Sequence, residues 1–284
     1  MTVTPEILQP PEPEVVLRDV VSALHEDLGA GDVSADLIPA RQRAHATLVC
    51  REAARLAGQA WFTGCFQHLD QDCHLQWTGQ DGDTLSPGAV VCVIAGNARA
   101  MLGAERCAIN FLQTLSGTAT LAAHYVQAAA GFRARILDTR KTLPSLRYAQ
   151  KYAVRCGGAH NHRHGLYDRV LIKENHIAAL GSIAAAIRQA RALHPSMQVE
   201  VEVENQQQLE QAISAQPDRI MLDNFDLQGL AAAVRMTADR IPLEASGGTE
   251  LDAVAAIAAS GVDFISVGAI TKHLQAVDFS LRFA

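Results

Sequence analysis

The chain has 284 residues, of which 49% are hydrophobic and 19% charged, and a formal net charge of −6. This is the composition of an ordinary globular protein of one large or two modest domains, and its acidity argues against a general nucleic-acid binder. No apolar run is long enough to cross a bilayer, Met1–Pro13 carries no secretion signal, and six scattered cysteines without a CxxC pair read as free thiols, so a cytoplasmic protein is expected.

In chain order, Pro10–Pro13 reads as a loose N-terminal segment and Val16–His25 has helical spacing. Thr47–Arg51 and Val90–Ile94 read as strands, with Gly79–Gly88 as a loop. A long helical pattern then runs from about Ala100 to Ala130. Ala104, Cys107, Ala108, Phe111, Leu112 and Leu115 recur at helical spacing as a buried stripe, while Arg106, Asn110 and Gln113 share the other face. Ser116–Gly117–Thr118 is expected to kink or break this run.

The rhythm then changes. Strand-like segments at Ala134–Leu137, Val170–Ile172, Val199–Val203, Ile220–Leu222, Leu243–Ala245 and Phe264–Val267 alternate with helical ones. The helices are expected at Pro144–Arg155, Ile183–Leu193, Gln207–Ala215, Leu227–Ala238 and Leu251–Ala259. Repeated β-then-α units require parallel strands. Six strands fall short of eight, so an incomplete (β/α) barrel is predicted, with a flat doubly wound sheet as the alternative. No GxGxxG follows an early strand, which weighs against a dinucleotide fold.

From Arg133 to Lys173 ten Lys and Arg face only Asp138 and Asp168. Such a segment is either a solvated basic face or a pocket for a polyanion. In a parallel barrel, reactive groups collect where the strands end. Here those ends carry Asp138–Lys141, Lys173–His176, Glu200/Glu202/Glu204, Asp223–Asn224, Ser246–Thr249 and Gly268–Ala269. Ser246–Gly247–Gly248–Thr249, opening a helix at Leu251, has the make-up of a phosphate cradle, with Gly268 beside it.

Val199–Val203 alternates valine and glutamate in a strand expected to be buried on both faces, so its carboxylates need partners. Glu202 and Asp223 are the pair best placed for Mg²⁺ and ribose contacts. His160, His162 and His164 alternate in one segment; zinc with Cys156 and His176 competes poorly, because no ligand spacing matches a zinc motif. Lys173 after an apolar strand is either an anion-binding cation or a Schiff-base lysine of an aldolase.

These segments resemble the quinolinate phosphoribosyltransferase family. The resemblance is carried by Glu105–Gln113 with Leu115–Gly117, Asp138–Thr142 with Pro144, Asn161–Arg163 with Gly165–Leu166, and Leu171–Lys173 with Asn175–His176. It continues through Glu200–Val203, Met221–Asn224, Ala245–Gly248 and Ser266–Gly268, and Glu26–Asp32 adds an N-terminal match.

The resemblance implies an α/β fold: an N-terminal α/β sandwich over 1–117, joined by 274–284, and an open, incomplete (β/α) barrel over 118–273. It implies a decarboxylating phosphoribosyltransferase of NAD biosynthesis that takes quinolinate and phosphoribosyl pyrophosphate with Mg²⁺. It also implies a homodimer, or a higher oligomer, in which Arg106 completes the partner's site. Quinolinate would be held by Arg106, Arg140, His162, Arg163 and Lys173, with Lys141 near the phosphoribosyl pyrophosphate. Glu202 and Asp223 would serve the ribose and Mg²⁺, and Ser246, Gly247, Gly248 and Gly268 the 5′-phosphate. Lys141, Lys173, Glu202 and Asp223 are the residues expected to take part in catalysis.

The chain departs from the family's usual glycine at Ala159 and Ser145 and from its aspartate at Glu174. The latter two changes are expected to be neutral. A paralogue with another acceptor (of the kind associated with molybdenum transport), the aldolase and a non-enzymatic anion binder are the competing readings.

Overall fold

The computed structural model describes residues 8–284; Met1–Ile7 lie outside the described residues. The chain forms two compact units. The first comprises Met1–Ala123, Leu143–Gly158 and His273–Ala284, and the second comprises His124–Thr142 and Ala159–Lys272.

With elements numbered along the chain, the first unit contains α1 (Pro13–Leu28), β1 (Arg43–Cys50), β2 (Ala54–Arg55), α2 (Gln59–Leu69), β3 (His74–Trp77), β4 (Thr84–Leu85) and β5 (Val90–Asn97). The long helix α3 (Ala98–Ala128) carries the chain onward, α4 (Arg147–Cys156) returns to this unit, and β12 (Phe279–Phe283) ends it. Four strands form an antiparallel sheet in the order β12–β1–β5–β3, and β2 pairs with β4. The core under the sheet is aromatic. Trp61, Phe62 and Phe66 are fully buried, each contributing about 2–3 kcal/mol of burial, and Phe62 meets Trp77 edge-on at 5.3 Å. The Trp61 indole N–H donates to buried Asp19 at 3.1 Å.

Two expectations need correction here. Pro10–Pro13 is not loose throughout, because Pro13 starts α1, where a missing N–H costs no helical bond. Ser116–Gly117–Thr118 does not break α3. A Cβ on Gly117 would lie 2.1 Å from the Gln275 carbonyl oxygen, so this glycine admits the returning C-terminal chain. The expected stripe is buried throughout, from Ala104 to Leu115, and Arg106 and Asn110 are exposed.

The second unit contains β6 (Arg135–Leu137), β7 (Val170–Ile172), α5 (Glu174–Leu180), α6 (Ile183–Leu193), β8 (Val199–Val203), α7 (Gln206–Ala215) and β9 (Arg219–Asp223). It continues with α8 (Leu227–Thr237), β10 (Leu243–Ser246), α9 (Val254–Ala259), β11 (Phe264–Ser266) and α10 (Ala269–Lys272). All six strands are parallel, in the order β6–β11–β10–β9–β8–β7. The order steps round one strand at a time without the reversal of a doubly wound sheet. β6 and β7 are its two edges, and β6 gains only a bridge from Leu137 to His160, so the barrel stays open.

Helix starts are set locally: Ser182, Asn205 and Asp226 accept from the backbone of Ala185, Gln208 and Gly229. Val199, Val201 and Val203 are fully buried beneath α6 and α7. The alternate residues of β8 therefore face the barrel interior with their register partners on β9 and β10.

Candidate active site

The open barrel delivers most of the expected residues to one end. Arg140, Lys141, His162, Arg163, Lys173, Glu202, Asp223, Ser246, Gly247, Gly248 and Gly268 all belong to the second unit; Arg106 belongs to the first, exposed on α3. At the end of β7, Lys173 donates from Nζ to Glu202 Oε2 at 2.5 Å. Beyond β6, Arg140 and Arg163 are neighbours and each is partly buried. Burial, and then the Arg140 charge beside it, hold Arg163 below its usual range. Two guanidiniums crowded together in this way have the chemistry to seat an anion.

The loop that carries Arg163 is tied down by buried Asp138. Its carboxylate accepts from Asn161 Nδ2 at 2.6 Å and from the His162 backbone at 2.8 Å. The expected row of three histidines divides: His160 bridges to β6, His164 stands 3.8 Å from Asp168, and only His162 turns inward.

The acidic pair and the glycines occupy neighbouring strand ends. Asp223 pairs in register with Ser246, and Glu202 with Met221, so both carboxylates share the interior face. Asn224 adopts φ +57 and donates its backbone N–H to the Ser246 carbonyl at 2.9 Å. Gly247 has φ +117, and a Cβ there would lie 2.5 Å from Asn224 Oδ1, so the turn requires glycine. At Gly248 a Cβ would meet nothing within 4 Å, so the backbone there borders open space. A Cβ on Gly268 would lie 2.8 Å from Lys141 Cδ, so the bare backbone of Gly268 lets Lys141 lie across it. The helix expected at Leu251 opens as a 3₁₀ turn, Leu251–Ala253, and α9 has six residues. The cradle therefore relies on backbone N–H groups more than on a macrodipole.

Glu200, Glu244, Arg169 and Arg219 were not singled out as site residues from the sequence. Glu200 is fully buried, 3.1 Å from His162 Nε2 and 3.3 Å from Arg169. Glu244, also fully buried, receives Arg219 at 2.8 Å and the Ser266 hydroxyl. Arg219 in turn stacks on Phe264 at 3.9 Å. Burial and the nearby Glu200 push Glu244 well above the carboxylate range. Burial acts on Glu200 in the same direction but is outweighed by His162, Arg219 and Arg169, which hold it low. A mid-strand glutamate in a parallel series was the available signal, and Glu244 carried it.

His162, Glu200 and Glu244 bring three ligand atoms within 4.8 Å of one another. They do not suit a metal. The Arg163 backbone N–H donates to His162 Nδ1 at 2.7 Å, so Nε2 carries the proton and offers no lone pair. Both carboxylates already hold arginines. Cys156, the sulfur of the zinc reading, is buried in the first unit.

Comparison with known proteins decides the family. Models of the quinolinate phosphoribosyl transferase N-terminal and C-terminal domains match residues 32–116 and 118–282. The chain belongs to the quinolinate phosphoribosyltransferase family. It is 40% identical over 257 residues to a probable carboxylating nicotinate-nucleotide pyrophosphorylase of Bacillus subtilis, covering 90% of this chain and 89% of the relative. It is 40% identical over 275 residues to the Mycobacterium leprae protein of that name, covering 93% and 96%. The solved nicotinate-nucleotide pyrophosphorylase of Francisella tularensis superposes with a TM-score of 0.93 at 42% identity, covering 99% of this chain and all of that one. The family's open α/β barrel is thus the fold seen here. Among the described residues no helix is long and apolar enough to cross a membrane.

Proposed function

We propose that the chain catalyses the family's reaction, joining quinolinate to phosphoribosyl pyrophosphate and yielding nicotinate mononucleotide, pyrophosphate and CO₂ for NAD biosynthesis. The carrying observation is the juxtaposition on one barrel end of a crowded cation set, Arg140 and Arg163 with Lys173, and a glycine cradle, Gly247–Gly248 with Gly268. Dicarboxylate and phosphate need these two surfaces respectively. Lys173 Nζ is engaged by Glu202 Oε2, which competes with attack on a carbonyl carbon and disfavours the aldolase reading.

In this reading Arg140, Arg163 and Lys173 bind the two carboxylates, Arg106 joins them from the partner subunit of a homodimer, and His162 holds the Arg163 backbone in place. The exposed Arg106/Asn110 face of α3 supports the Arg106 role. Lys141, lying across Gly268, meets the phosphates of phosphoribosyl pyrophosphate. Glu202 and Asp223, oxygen donors on one interior face, suit a hard cation carried largely by pyrophosphate. Bound Mg²⁺ supplies charge neutralisation for the departing pyrophosphate. We assign the enzyme to the cytoplasm, a reading supported by six free, buried thiols.

The cation set holds the ring so that its nitrogen faces the anomeric carbon. The bond to pyrophosphate breaks with its electron pair leaving on the phosphate oxygen, and the carboxylates of Glu202 and Asp223 stabilise the cationic ribose. The ring nitrogen's lone pair forms the new bond to that carbon. The resulting pyridinium accepts the electrons of the C2–carboxylate bond as CO₂ departs, and C2 then takes a proton.

The test is acceptor choice. Purified protein with phosphoribosyl pyrophosphate and Mg²⁺ should turn over quinolinate and leave nicotinate, which lacks the 2-carboxylate, at least about a hundredfold behind. Equal use of nicotinate would overturn the acceptor assignment.

A further inference from the structure

Below the strand ends, a chain of contacts runs from one half of the proposed site to the other through a residue that faces neither substrate. The Arg163 backbone N–H donates to His162 Nδ1 at 2.7 Å. His162 Nε2 then faces Glu200 at 3.1 Å and Glu244 Oε1 at 3.5 Å. That same Glu244 oxygen accepts the hydroxyl of Ser266, while Glu244 Oε2 accepts from Arg219 at 2.8 Å. Ser266 ends β11 two residues before Gly268, and the Val267 N–H between them donates to the Leu137 carbonyl at 2.9 Å. The chain thus begins at the dicarboxylate seat and ends at the phosphate cradle.

We propose that Glu244 is a positioning residue that sets these two half-sites in register, its Oε1 accepting the Ser266 hydroxyl while it faces the His162 ring 3.5 Å away. Glu244 is fully buried and cannot reach a substrate itself. A buried carboxylate is costly to retain where an apolar residue would fill the same space, and fold stability alone gives no reason for it. Its geometry gives one: a planar carboxylate held from behind by Arg219 fixes the Ser266 hydroxyl and at once lies against the His162 ring. In a close-packed interior a displaced ring or hydroxyl is passed on to the backbone that carries it. His162 carries the Arg163 backbone, and Ser266 leads into Gly268. The inference rests on the proposed function for the identity of the two half-sites.

The experiment uses the full-length protein and two probes added separately, quinolinate and ribose 5-phosphate, titrated calorimetrically into wild type, Ser266→Ala and Glu244→Gln. Ser266→Ala removes one hydroxyl on the phosphate side. It should weaken quinolinate binding about fivefold, the value of one hydrogen bond, although Ser266 touches no part of the pyridine seat. Glu244→Gln should weaken both probes, with melting temperature and oligomeric state measured alongside. A folded Ser266→Ala protein with wild-type quinolinate affinity overturns the inference, as does a lower melting temperature with both affinities unchanged. Should Ser266→Ala not fold, Glu244→Gln decides by the same criterion: an effect on one probe only overturns the proposal. Wild-type protein that binds neither probe overturns the functional reading, and this inference with it.

Discussion

Lys173 Nζ lies 2.5 Å from Glu202 Oε2, across the ends of the adjacent strands β7 and β8. In the proposed reaction the pair sets a cation for the acceptor's carboxylate beside an anion for the ribose, each orienting the other. Lys173→Ala should lower kcat/KM about ten- to a hundredfold, the worth of one charge-assisted hydrogen bond. Because the two residues act as a unit, Lys173→Ala/Glu202→Ala should cost less than the sum of the single changes. Steady-state kinetics of the three variants checks this, and strict additivity would show the pair to be incidental.

Arg140 and Arg163 are the stronger test of the anion seat. Replacing either by alanine should cut catalytic efficiency roughly a hundredfold or more, if the guanidinium contact to bound carboxylate carries about 3–5 kcal/mol. The loss should fall on quinolinate and leave the KM for phosphoribosyl pyrophosphate within about threefold. Near-normal turnover by either variant would remove that arginine from the site.

The two cradle glycines should respond differently. Gly247→Ala puts a Cβ 2.5 Å from Asn224 Oδ1 on a backbone with φ +117, and should cost about 1–3 kcal/mol of stability. Gly248→Ala meets no atom within 4 Å, so it should fold like wild type and raise the KM for phosphoribosyl pyrophosphate by keeping the phosphate off the backbone. Thermal unfolding and kinetics on the two variants separate a fold defect from a binding defect.

Much of this was legible in the sequence because the second unit repeats one signal. β7, β8 and α6 span the ranges expected, and the open barrel follows from six parallel strands, five of them followed by a helix of the same unit. The first unit was harder to read. α2 is short, eleven residues with Gly64 in its middle, so the single face formed by Trp61, Phe62, Cys65 and Phe66 was a weak helical signal in the sequence. Gly117 read as a kink because the sequence could not show Gln275 packed against it. The rim residues announced themselves as polar ends of apolar strands. Glu244 and Arg219 did not, because their partners come from other strands and other loops.

Ser145, where the resemblance has glycine and the change is expected to be neutral, stands in the left-handed region. Its φ is +64, a conformation that costs a side-chain-bearing residue about 1 kcal/mol. Ser145→Gly should raise stability by up to about that amount, offset in part by the greater freedom of glycine in the unfolded chain. Urea unfolding checks the sign; a destabilised variant would contradict it.

Asp168 tests the loop between Arg163 and β7. Burial acts to raise its pKa but is outweighed by hydrogen bonds from the Gly165 and His164 backbones, so the net shift is downward. A depressed carboxylate stabilises the folded state above its unfolded pKa of about 3.9, and that contribution is lost as pH falls through the folded value. Asp168→Asn should therefore be less stable than wild type at neutral pH, with the difference shrinking below about pH 4. Stability curves of the two proteins against pH would show it; a constant gap would contradict the assignment.

The most direct test of the whole account is product stoichiometry with quinolinate labelled in its 2-carboxylate. Purified protein, phosphoribosyl pyrophosphate and Mg²⁺ should release one labelled CO₂ for each nicotinate mononucleotide formed, and chelating the metal should stop both. Labelled CO₂ without the nucleotide, or no product from folded protein, would leave the barrel and its anion seat but contradict the reaction assigned to them.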